Sequence, residues 1–75
     1  MLETIRQEII LAAHTKQKLA MFNYQVLINA NALTTTDPVE FCIAVGVPQS
    51  YAAEFRKMLS LATVMQESGA RITIS

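Results

Sequence analysis

Cysteine occurs once in this 75-residue chain, at Cys42, and histidine once, at His14. No intrachain disulfide can form, and two soft ligands far apart in sequence are too few for a zinc site. Glycine and proline occur only twice each, so few residues punctuate the chain. A charge surplus is missing as well: six Lys/Arg balance six Asp/Glu. Proteins that bind nucleic acid draw most of their affinity from phosphate contacts and usually carry a basic excess. Here the basic residues gather only in small clusters, Lys16 with Lys18 and Arg56 with Lys57. There is no acidic tail or basic arm.

A secretory leader is not expected, because Glu3, Arg6 and Glu8 precede any apolar run. The uncharged stretch from Leu19 to Thr36 is long, but Asn23, Gln25, Asn29, Asn31 and three threonines would be costly in hydrocarbon. The expectation is a soluble, cytoplasmic protein. With 75 residues and no disulfide or metal to brace it, stability must come from helix packing or from a partner chain. The apolar fraction of 52% exceeds what one small core readily hides. Self-association or another protein is therefore expected to cover part of the surface.

What is present reads as all-α, a small three-helix domain spanning residues 1–75 with a short extended tail. Residues 2–33 lack Gly and Pro and are rich in helix formers. Ile5, Ile9, Ala12, Leu19, Val26, Ala30 and Leu33 recur at three- and four-residue steps, with Lys16 and Asn23 interrupting the stripe. A continuous helix of this length would reach roughly 48 Å, which leaves room for a bend or break near His14-Thr15. The polar, β-branched run Thr34-Thr35-Thr36 is a linker. Asp37 as N-cap, Pro38 at the first helical position and Glu40 in a capping box start a short helix over 37–45. Gly46 ends it in the left-handed conformation that other residues resist. Pro48 opens a last helix over 48–68, and Gly69 stops it. The tail over 70–75 alternates polar and apolar residues as a strand does.

The segment DPVEFCIAVGVPQSYAAEFRKML resembles the helix-turn-helix family of DNA-binding proteins over residues 38–57. Cys42 stands four residues before Gly46, where that family places a small residue. Val45 and Val47 flank the turn, Ala52 and Phe55 fall where the second helix needs apolar residues, and Phe41 fits beside Cys42. The resemblance implies a close helix crossing locked by this apolar set, with the second helix offered to the major groove. It further implies that Gln49, Ser50, Ala53, Glu54 and Lys57, with Arg56 nearby, face DNA. Gln and Ser read base edges, Glu accepts from cytosine, and Lys or Arg holds phosphate.

Other residues carry less. His14 has no nucleophile or carboxylate at helical spacing, so a surface or partly buried histidine is the better reading. Cys42, between Phe41 and Ile43, reads as a buried, inert thiol. Four amides within nine residues (Asn23 to Asn31) either face solvent or fix a partner's register, with Asn23 the candidate for the second role. No phosphate loop, catalytic carboxylate pair or nucleophile elbow appears, so no enzyme and no cofactor are expected. Two functions follow. One is a small dimeric DNA-binding regulator, self-associating through Ile5, Ile9, Leu19, Asn23, Val26 and Met65. The other is a helical protein-interaction module, an adaptor, inhibitor or chaperone-like subunit without DNA. The regulator is preferred, because it alone rests on a spaced pattern.

Overall fold

A computed structural model describes residues 1–69. Among them run α1 (Leu2–Ala13), α2 (Lys18–Ile28), the single-turn α3 (Ala30–Leu33), α4 (Pro38–Val45) and α5 (Ala52–Glu67). A 3-10 turn over Gln49–Tyr51 leads into α5. No strand occurs among the described residues, and the strand-like tail expected over 70–75 lies outside them.

The helix expected over 2–33 is three helices. The first break falls where length made one necessary, since the described body measures only 33 × 28 × 19 Å. Lys16 takes a left-handed backbone, φ 61°. Lys16 N–H donates to the Ala13 carbonyl at 3.3 Å and Gln17 N–H to that of Ala12 at 3.0 Å. This crossed pair is a Schellman closure, which normally uses glycine at the left-handed position. The Thr15 hydroxyl adds a bond to the Ala12 carbonyl at 3.0 Å. The second break falls at Asn29 (φ −106°, ψ 15°). Its side-chain amide donates to the Gln25 carbonyl at 2.8 Å, competing with the backbone ladder as short polar side chains do. The three-helix expectation therefore gives way to five helices among the described residues, α3 being one turn long.

The helices close on one core. Ile5, Ile9 and Ala12 enter from α1, Phe22 and Val26 from α2, Ala30 and Leu33 from α3. Phe41, Cys42 and Val45 come from α4, Val47 from the turn, and Ala52, Phe55 and Ala62 from α5. Phe41 lies at the centre, 5.7 Å from the Phe22 ring and 4.9 Å from Phe55, while Tyr51 meets Phe22 edge-on at 5.1 Å. Tilted and edge-on rings suit the aromatic quadrupole, and each buried large side chain contributes about 1.5–3 kcal/mol of transfer free energy. Apart from exposed Leu19, the helical steps read over residues 2–33 thus mark the chain's own interior.

The amides join elements of the same chain. Asn23 of α2 donates to Glu54 of α5 at 3.4 Å, and Gln66 of α5 donates to Asn31 of α3 at 2.8 Å. Buried Gln25 donates to the Met21 sulfur at 3.5 Å. The bonds from Asn23 and Gln66 link α2 and α3 to α5, beside the apolar packing that places it.

Candidate nucleic-acid interface

Local chemistry places α5. Asp37 caps α4, its carboxylate accepting from the Glu40 N–H at 2.9 Å, with Pro38 inside the first turn. That is the Asp37 half of the expected capping box. Gly46 ends α4 at φ 78°. Gly46 N–H donates to the Ile43 carbonyl at 3.2 Å and Val47 N–H to that of Cys42 at 3.0 Å, a second Schellman closure. Pro48 then lies just outside the next helix, extended at φ −58°, ψ 144°, and its carbonyl accepts from the Tyr51 N–H at 3.0 Å. The turn leaves Gln49 and Ser50 exposed at the start of α5.

Behind the turn, Phe41, Cys42, Val45, Val47, Ala52 and Phe55 are all buried, and Gly46 is exposed at its apex. Cys42 is fully covered, and burial pushes its thiol pKa up. In front, Ala53, Arg56 and Lys57 are exposed. At about 100° per residue, Ala53, Lys57, Ser60 and Val64 stack as one outward stripe, with Arg56 to one side and Glu54 to the other.

Glu54 differs from its neighbours. Its side chain is only 25% exposed, against 71% for Lys57, and Lys57 Nζ lies 3.1 Å from its Oε2. Asn23 Nδ2 donates to Oε1. The bond from Lys57, then that from Asn23, hold the carboxyl below its usual pKa.

Tertiary structure brings two further cations to the motif. Arg6 of α1 lies beside the turn: a Cβ on Gly46 would sit 3.8 Å from its Nε. Lys18 of α2 lies with Nζ 5.8 Å from the centroid of the Tyr51 ring, a cation–π distance. Neither residue is near the motif in sequence, and no local signal links them to it. Arg6, Lys18, Arg56 and Lys57 thus come from three helices to the region around the turn and the start of α5.

The six residues expected at a dimer interface divide. Ile5, Ile9 and Val26 are at most 2% exposed, packed inside their own chain, and cannot form an intermolecular face. Asn23 is half-buried and its mate is Glu54 of the same chain. Leu19 is exposed and Met65 half-buried. Helical periodicity identified a buried face correctly, but the partner covering it is intramolecular.

Elsewhere, His14 is exposed in the break after α1. An open groove of about 260 Å³ lies between α3 and α5, walled by Asn31, Thr34, Ser60, Thr63 and Gln66. It contains hydroxyls and amides but no ionisable side chain. Among the described residues there is no group of three or more His, Cys, Asp or Glu placed to hold a metal ion. No described helix is long and apolar enough to cross a membrane.

A capped short helix, a left-handed glycine turn and a longer helix with a buried inner face define a small all-α domain of helix-turn-helix-like class. The chain belongs to the HTH-like domain family, whose sequence profile matches residues 1–68. No curated protein and no solved structure matches it. Family membership makes DNA a candidate partner.

Proposed function

We propose that this chain is a small DNA-binding regulator of the cytoplasm that offers the first turns of α5 to the major groove. The observation that carries this reading is the polar, exposed lead into α5 in front of a buried apolar set behind the turn, with four cations around it. Gln49 and Ser50 are the base-reading residues, Ala53 permits close approach, and Arg6, Lys18, Arg56 and Lys57 hold phosphates. The regulator acts as a dimer. Its contact lies on the distal half of α5, where Leu61 and Val64 are exposed beside half-buried Met65.

A titration against duplex DNA at several salt concentrations tests the reading. Binding should weaken steeply with salt, and replacing Arg6 or Arg56 by Gln should each lower the log–log slope by about one. Absence of salt-sensitive binding even at low salt would sink it. Sedimentation of the wild type and of Val64→Glu tests the dimer, with a monomer expected for the variant only.

A second reading is a protein-interaction module. It is favoured by zero net charge, by acidic Asp37 and Glu40 at the start of α4, and by exposed Ile10, Leu11, Ile43, Leu61 and Val64. A chain that binds no duplex but forms a stable complex through these apolar side chains would establish it instead.

A further inference from the structure

Glu54 is an anomaly in a surface meant for a polyanion, and its surroundings show that it is held there. Both carboxylate oxygens are engaged, Oε2 by Lys57 at 3.1 Å and Oε1 by Asn23 at 3.4 Å. The arrangement is costly to Asn23, whose own Oδ1 is buried without a hydrogen-bond partner. A buried acceptor left unpaired costs more than a typical hydrogen bond returns. Turning the amide over would aim that oxygen at the carboxylate, so Asn23 keeps its NH2 towards Glu54 because Glu54 is charged. The carboxylate is thereby fixed beside the outward stripe and neutralises Lys57, the charged member of that stripe.

We propose that Glu54 is a specificity-determining residue that suppresses sequence-independent DNA binding. The proposal rests on the DNA-binding reading above. On an arbitrary duplex, Lys57 must leave its carboxylate to reach a phosphate, and the uncovered Oε2 of Glu54 faces the polyanion without a donor. On a site presenting a cytosine N4 amine at this position, that amine replaces Lys57 on Oε2 and the ammonium is free for phosphate. Discrimination arises from the penalty on wrong sites, with little gain on the right one.

The test uses the intact chain, a random-sequence duplex, and the variants Glu54→Gln, Lys57→Gln and the double variant, across a range of salt. The amide introduced by Glu54→Gln can still accept from Asn23, so the scaffold contact survives, and circular dichroism checks that helix content is unchanged. Glu54→Gln should bind random duplex about tenfold tighter near 0.1 M salt, with a slope steeper by about one, because a single lysine is released to phosphate. Lys57→Gln should cost little in the wild type and should abolish the gain in the Glu54→Gln background. Wild-type binding with an unchanged or weakened Glu54→Gln overturns the role of Glu54 and leaves the DNA-binding reading intact. No binding by any of the four proteins, even at low salt, overturns both.

Discussion

Lys16 and Gly46 do the same conformational work at the ends of two different helices, α1 and α4. Each is the left-handed residue that closes a helix, φ 61° and 78°, and each is followed by an N–H that reaches back across the last turn. One position uses the residue suited to it and the other does not. A left-handed backbone costs a residue with a Cβ roughly 1–2 kcal/mol, while glycine adopts it freely at some cost in unfolded-state entropy.

Replacing Lys16 by Gly should therefore stabilise the protein, by up to about 1 kcal/mol once the entropy of the new glycine is subtracted. The Lys16 side chain is exposed, so little packing is lost. Urea denaturation should show a higher midpoint with an unchanged slope.

The reverse change at the other turn should destabilise. Gly46→Ala should cost about 1–2 kcal/mol from backbone strain. The added Cβ would meet only Arg6 Nε, at 3.8 Å, an ordinary contact. Gly46→Asn should lose less, since Asn tolerates the left-handed region. Equal losses for Ala and Asn would point to crowding instead of strain.

Asp37→Ala removes the acceptor for the Glu40 N–H and the negative charge at the start of α4. The expected cost is about 1 kcal/mol, read as a lower thermal midpoint. Asp37→Asn should recover most of it, because it keeps the acceptor.

Acid should remove what Glu54 contributes. Its folded pKa is lowered, mainly by the bond from Lys57 and then by that from Asn23. A lowered folded pKa means that the contribution is complete above the unfolded value and is lost as pH falls through the folded one. The stability difference between wild type and Glu54→Gln should thus be present at neutral pH and shrink below the ordinary glutamate range, near about pH 4. Chemical denaturation at a series of pH values gives this curve directly.

Cys42 should be silent to thiol reagents in the folded protein. It is fully covered, and burial raises its pKa, so thiolate is scarce at neutral pH. Ellman's reagent should react with one thiol per chain in urea and only at the rate of opening in buffer. Rapid labelling in buffer would mean that the crossing of α4 and α5 opens readily.

The motif was legible because its signals are local. Asp37, Pro38 and Glu40 announce a helix start, Gly46 a left-handed stop, and Pro48 a new beginning, each through the backbone of its immediate neighbours. The break after α1 was legible only as a need for length to end somewhere near His14-Thr15. Neither glycine nor proline marks the spot, and Lys16 is held in an unfavourable conformation by the packing of α1 against α2 and α4. Asn29 likewise breaks a helix with a side chain that elsewhere would face solvent.

By itself, the sequence determined the helical class, the start and turn of the α4–α5 pair, and most of the residues that avoid water, Leu19 being an exception. Hydrophobic spacing is a property of one helix, so it specifies a buried face without saying what covers that face. The tertiary structure alone decided that Ile5, Ile9 and Val26 are buried within the chain, that Asn23 answers to Glu54, and that Arg6 and Lys18 stand beside a motif far along the chain. Those relationships depend on where separate helices meet, which is set by the packing of the whole core and by no short run of residues.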